Sequence, residues 1–190
     1  MASRKSATPQ ALPVHVTRLE MNAPPRQNLP LPVNLQTAVM RVQNITNPYY
    51  RFLYDQVGRR WHWVERLRMK EEELAAILAD KRTDVTVLYI DGAPAGFYEL
   101  FLRDGETVEL VHFGLIQHAL GKGVGKWFLL QALYAAWASS PLRVTVTTNN
   151  LDHPRALQRY QMFGFSPVAT EDLTLVPLSD AELLELAKRT

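Results

Sequence analysis

Three glycines alternate with lysine and valine in Gly121-Lys122-Gly123-Val124-Gly125-Lys126, directly after an apolar, strand-like stretch and directly before a helical one. That placement points to anion binding. Amides at a helix start have no intrahelical acceptor and sit at the positive end of the helix dipole, and missing Cβ atoms let a phosphate approach the chain. Lys122 and Lys126 add positive charge. A Walker A loop requires glycine where Leu120 stands and Ser or Thr where Trp127 stands, so that reading fails. A dinucleotide fingerprint requires glycine at the position of Lys126 and a parallel βαβ unit, whereas Asp91-Gly92 and Asp104-Gly105 upstream mark tight hairpins. What remains is a phosphate cradle, or a sharp strand-to-helix turn that needs no ligand.

The elements around the loop follow from residue patterns. Thr83 to Ile90, Ala95 to Leu102 and Val108 to Ile116 are β-branched and apolar runs separated by the two Asp-Gly turns, which predicts three antiparallel strands. Beyond the loop, Trp127, Phe128, Leu130, Leu133, Tyr134 and Trp137 predict a helix from Val124 to Ala138 with a broad buried face. A strand over Leu142 to Thr148 and a short helix from Pro154 to Phe163-Gly164 come next. Phe165 to Ala169 and Leu173 to Leu178 read as a final hairpin, and Ser179 or Asp180 caps a last helix over Ala181 to Lys188. Upstream, helices are expected from Asn47 to Val57, from Trp61 to Lys70 and from Glu71 to Ala79. Seven of the twelve prolines fall between Pro9 and Pro48, which argues against a helical unit there. Met1 to Leu12 is expected as a disordered tail, followed by short strands over Val14 to Met21 and Val33 to Val42 within a single domain, 13–190. This order predicts an α+β fold, a mixed sheet with helices on its faces.

Composition excludes several classes. Lys and Arg number 21 against 19 acidic residues, and a net charge of +2 gives no footprint for nucleic acid or an anionic membrane. Without cysteine there is no thiol nucleophile, disulfide framework or zinc knuckle, and the five histidines show no metal-ligand spacing, so no metal is expected. No apolar run approaches the roughly 20 residues that span a bilayer, and no secretory leader is apparent, which makes cytoplasmic the simplest location.

The segment Val108 to Phe165 resembles the GNAT superfamily of acyl-CoA-dependent N-acyltransferases. Its Arg/Gln-x-x-Gly-x-Gly loop is matched by Leu120-Gly121-Lys122-Gly123-Val124-Gly125, which keeps the glycines and loses the leading polar residue. Its pattern Asn-x-x-Ala-x-x-x-Tyr-x-x-x-Gly-Phe is matched by His153 to Phe165, with Ala156, Tyr160 and Gly164-Phe165 in place and only Asn exchanged, for His153. The resemblance implies a mainly antiparallel sheet whose central strands splay apart, with acetyl-CoA in the gap. Its pyrophosphate would lie on Gly121, Lys122, Gly123, Val124, Gly125 and Lys126. Its pantetheine arm would pair with Phe113, Gly114 and Leu115, near His153.

For catalysis the resemblance implies Tyr160 as the acid that protonates or hydrogen-bonds the departing sulfur, and Glu109 on the third strand as general base, with water as the equal alternative. A carboxylate in an apolar strand would be desolvated, which suits a base; the plain alternatives are an interfacial tyrosine and a solvated glutamate. In a regular strand His112 would face away from Glu109 unless a bulge intervened, and His118 lies beside the loop. Tyr49, Tyr50, Phe52, Tyr54, Trp61 and Trp63 crowd the first helices and read as an acceptor wall or as core. The expectation is acetyl transfer to the primary amine of a small molecule, with no nucleic acid or membrane partner and a possible homodimer. A protein or peptide acceptor and a non-catalytic acyl-CoA sensor are the alternatives.

Overall fold

The computed structural model describes residues 9–188. Most of the expected disordered tail, residues 1–8, lies outside them, but its last residue, Leu12, opens a strand. The described chain forms one seven-stranded sheet: β1 (Leu12–Met21), β2 (Thr37–Arg41), β3 (Thr83–Ile90), β4 (Ala93–Leu102), β5 (Thr107–Leu115), β6 (Arg143–Asn149) and β7 (Ser166–Leu175), in spatial order β2-β3-β4-β5-β6-β1-β7. All neighbouring strands are antiparallel except β5 and β6. The α+β expectation holds, including the splayed centre.

The hairpins β3–β4 and β4–β5 follow from the Asp-Gly signals. Asp91 and Gly92 both adopt positive φ, 51° and 83°, as a two-residue hairpin turn requires. Helices cover both faces. On one, α1 (Asn47–Gly58), the short α2 (Glu65–Arg68) and α3 (Glu71–Ala79) enclose a core of Tyr50, Leu53, Leu74, Val87 and Phe97. On the other, α4 (Val124–Trp137) and α5 (Ala156–Met162) enclose Phe128, Leu130, Leu133, Leu100, Leu110 and Val146. The continuous helix expected over Trp61 to Lys70 is instead a 3-10 turn, Arg59–Trp61, followed by α2, because His62 takes a left-handed conformation, φ 56°. The last helix, α6 (Asp180–Ala187), is capped by Ser179, whose hydroxyl accepts from the Glu182 amide.

The final hairpin does not form. Residues 166–175 make one strand, β7, matched residue by residue to β1 from Glu20↔Ser166 to Leu12↔Leu175, with one irregularity at Arg18/Leu19. Thr170-Glu171-Asp172 contains none of the glycine, asparagine or proline a tight turn uses, and a ten-residue partner offers more ladder hydrogen bonds than a folded-back hairpin. The N-terminal strand therefore sits inside the sheet between β6 and β7, and Leu19 and Met21 enter the core. Residues 22–36 cross α4 on the way to β2, anchored by the Tyr134 hydroxyl donating to the Gln27 carbonyl at 2.7 Å.

Candidate functional site

β5 and β6 are paired only over four residues, Thr107↔Arg143 to Leu110↔Val146. Beyond them β5 continues along β4 to Leu115, and β6 continues along β1 to Asn149. The strands part. From Val111 to Leu115 one edge of β5 faces no strand, so its amides and carbonyls on that side are available to an extended ligand. The parting begins at a bulge: Glu99 stands opposite His112 and Leu100 opposite Leu110, leaving Val111 as the extra residue. One extra residue reverses side-chain alternation, so His112 comes onto the same face as Glu109, whose partner Phe101 lies two residues from Glu99.

A cleft of about 280 Å³ occupies the gap. Phe113, Gly114 and Leu115 line it together. Gly114 is required by packing: a Cβ there would lie 2.2 Å from Val57 Cγ1, so only glycine lets α1 approach the strand this closely. At the α4 end, Leu120 and Gly125 line the cleft, whereas Gly121, Lys122, Gly123, Val124 and Lys126 form the surrounding turn and first helical residues. Gly123 is the N-terminal cap residue of α4 with φ 78°, a left-handed conformation that side chains disfavour. Val124 is fully buried and has only backbone to offer a ligand, while Lys122 and Lys126 are exposed. His118, also exposed, does not line the cleft.

Tyr160 closes the wall formed by α5, with Ala156 and Arg159 beside it. It is 8% exposed and meets Phe165 edge-on at 5.7 Å; burial, aided by the Asp152 carboxylate, holds its hydroxyl well above the ordinary tyrosine range, so it stays protonated. His153 lines the cleft, accepts from the Arg155 amide through Nδ1 at 3.1 Å and packs against Trp61 at 5.5 Å. Its desolvation, with Arg159 and Arg155 nearby, disfavours the imidazolium. Of the crowded aromatics, Tyr54, Trp61 and Trp63 line the cleft. Tyr50 is core, the Tyr49 hydroxyl is bonded to that of Tyr89 at 2.7 Å, and Phe52 is 42% exposed.

Glu109 is not brought to this group. It lies where β5 and β6 are still paired, its carboxylate is committed to Arg103, and it does not line the cleft. Behind His112, which does line the cleft, lies Glu99 of β4, a carboxylate that is 1% exposed and does not itself line it. One oxygen, Oε1, accepts from the Arg66 guanidinium at 2.9 Å. The other, Oε2, lies 2.9 Å from His112 Nδ1 and also accepts from the Tyr50 hydroxyl. Burial alone would raise Glu99, but His112 and then Arg66 outweigh it and bring the carboxyl down to about 2. His112 lines the cleft, packed among Tyr54 at 5.0 Å, Trp63 at 5.1 Å and Phe97 at 6.4 Å.

A second carboxylate, Asp152, joins the two walls. Its Oδ1 accepts from Trp63 Nε1 at 3.3 Å, and its Oδ2 accepts from the Thr148 hydroxyl at 2.8 Å and the Asn149 amide at 3.1 Å. Neither Glu99 nor Asp152 was expected at the site. For Glu99 a signal existed, a lone carboxylate within the apolar run Phe97-Tyr98-Glu99-Leu100-Phe101, where burial implies a partner. For Asp152 and Trp63, 89 residues apart, none did. Among the described residues no group of three or more histidines, aspartates or glutamates is placed to hold a metal ion, and no helix is long and apolar enough to cross a membrane.

The model of the acetyltransferase (GNAT) family matches residues 40–165. No curated protein matches the sequence. Among solved structures, a functionally unknown conserved protein from Staphylococcus epidermidis is 14% identical with a TM-score of 0.60, over 87% of this chain and 62% of that one. A GNAT family acetyltransferase from Elizabethkingia anophelis, with acetyl-CoA bound, is 17% identical with a TM-score of 0.54, over 70% of this chain and 78% of that one. An aminoglycoside acetyltransferase from a soil metagenome, in complex with trehalose, is 15% identical with a TM-score of 0.51, over 75% of this chain and 95% of that one. At these identities the likeness is one of fold.

Proposed function

Because the chain belongs to the acetyltransferase (GNAT) family, we propose that it transfers an acetyl group from acetyl-CoA to the primary amine of a small molecule. The observation that carries this reading is the parting of β5 and β6 at Leu110/Val146, with a helix N-terminus at one end of the gap and a buried tyrosine in its wall. The turn at Gly121 to Gly125 offers unpaired amides to a pyrophosphate, and Lys122 and Lys126 add charge in place of the polar side chain lost at Leu120. The free edge of Phe113 to Leu115 offers backbone partners to the pantetheine amides. A structural neighbour of the same fold is a GNAT family acetyltransferase with acetyl-CoA bound, which supports acetyl-CoA as the donor.

In this reading the acetyl carbonyl lies near the bulge, and the amine enters from the side walled by Tyr54, Trp61 and Trp63. The nitrogen attacks the carbonyl carbon, the C–N bond forms and the C–S bond breaks. The Tyr160 hydroxyl, kept protonated by burial, donates to the departing sulfur. The confined aromatic cleft favours a small acceptor with an apolar body over a folded protein surface. Glu109 would reach a bound amine only through intervening water.

The test is direct. Isothermal calorimetry should show acetyl-CoA binding, and a panel of primary amines should release free thiol in an acceptor-dependent manner. Absence of donor binding would overturn the reading; donor binding without thiol release on any amine would leave an acyl-CoA sensor in its place.

A further inference from the structure

We propose that His112 is the group that takes the proton from the incoming amine, and that the buried Arg66–Glu99 ion pair fixes which of its nitrogens does so. The inference rests on the acetyl-transfer reading of the cleft and adds a catalytic residue and two positioning residues to it.

The assignment follows from geometry. Glu99 is ionised and buried, and a carboxylate only accepts hydrogen bonds. At 2.9 Å from its Oε2, His112 Nδ1 must therefore be the N–H donor. In the neutral ring that leaves the lone pair on Nε2, which has no hydrogen-bond partner among the described residues and belongs to an imidazole lining the cleft. Rotation is blocked by Tyr54, Trp63 and Phe97 packed around the ring. The bulge at Val111 is what brings His112 onto the face of Glu99.

Arg66 supplies the other half. A buried carboxylate alone would bind the imidazolium so firmly that the ring would be occupied by a proton before an amine arrived. The Arg66 guanidinium, itself only 12% exposed, cancels that charge. The remaining groups facing His112 are Tyr50 and Tyr54 from α1, both held protonated by burial. Glu65, ahead of Arg66 on α2, also lines the cleft, and Asp152 lies behind Trp63. In the reaction the ammonium loses one proton to Nε2 and the nitrogen attacks. The second proton lost from nitrogen replaces the one Tyr160 gives to sulfur, so one proton leaves through His112 to solvent.

Two measurements test this. Nitrogen-resolved NMR of the histidine rings, on protein without acceptor, should find neutral His112 as the Nδ1–H tautomer. In the acetylation assay, Arg66→Met should lower kcat/KM about 10-fold, and Arg66→Lys should restore it. In the same assay, His112→Gln should lower kcat/KM roughly 100-fold and remove the acid limb of the pH profile, with acetyl-CoA affinity unchanged. An Nε2–H tautomer, an unchanged kcat/KM in Arg66→Met, or a wild-type pH profile in His112→Gln would each overturn the proposal. The NMR arm needs no acetyl transfer, so its outcome stands apart from whether the cleft is an acetyltransferase site.

Discussion

Gly114 of β5 lies directly beneath Val57 of α1, close enough that a Cβ on the glycine would stand 2.2 Å from Val57 Cγ1 and 3.9 Å from Trp63. The contact joins the open strand edge to the aromatic wall. Val57 is buried and branched at Cβ, so it cannot swing aside. Gly114→Ala should therefore cost about 1–3 kcal/mol, typical of overpacking. Thermal unfolding followed by circular dichroism should show a Tm lower by about 2–4 °C for each kcal/mol.

Gly123 tests the anion site separately from the core. A β-branched residue at φ 78° is strained by about 1–3 kcal/mol, and the first turn of α4 must reorganise to relieve it. Gly123→Val should remain folded and lose calorimetric binding of acetyl-CoA. Retained affinity would exclude the loop from donor binding.

Tyr160→Phe deletes one oxygen from a buried wall. Turnover should fall roughly 100-fold, with donor affinity nearly unchanged. An unaltered kcat would remove Tyr160 from any role at the sulfur.

Acid stability follows from Glu99. Its carboxyl is lowered in the folded chain from 4.5 to about 2, so the unfolded chain binds this proton first. The stabilisation is fully present above about pH 4.5 and is lost as pH falls toward about 2. Glu99→Gln should thus be less stable at neutral pH, because Arg66 is left buried without its partner, and should show a shallower fall in urea-derived stability between those two values.

Leu19 reports on the N-terminal strand. It is fully buried, so Leu19→Ala should cost about 2–5 kcal/mol, far more than a change in a surface tail. Equilibrium denaturation gives the value directly.

The parts of this molecule visible in the sequence are those specified by neighbours along the chain. Asp91-Gly92 sets a hairpin locally, and alternating glycines followed by an apolar face set the strand-to-helix turn at Gly123. The parts not visible depend on partners far away. Nothing near Val14 or Leu173 says that they pair, so the sequence alone reads residues 165–178 as a hairpin. The same applies at the site: the side-chain alternation that separates Glu109 from His112 in a regular strand is undone by Val111, whose bulge exists only in the ladder with β4. Gly114 is a mid-strand glycine whose reason, Val57, lies on another element.

The position of β1 also bears on how the protein is made. Val16 meets Asn149 on one side and Glu171 on the other, so of the seven described strands the earliest in the sequence waits for partners among the latest. At elongation rates of about 5–20 residues per second, roughly 8 to 30 seconds pass between the synthesis of Met21 and of Leu175, during which Val14, Leu19 and Met21 are without their partners. Until then it is a free, apolar ribbon open to any edge nearby. Nascent-chain yield should consequently respond to translation speed between codons 22 and 175, and to chaperones that hold extended segments.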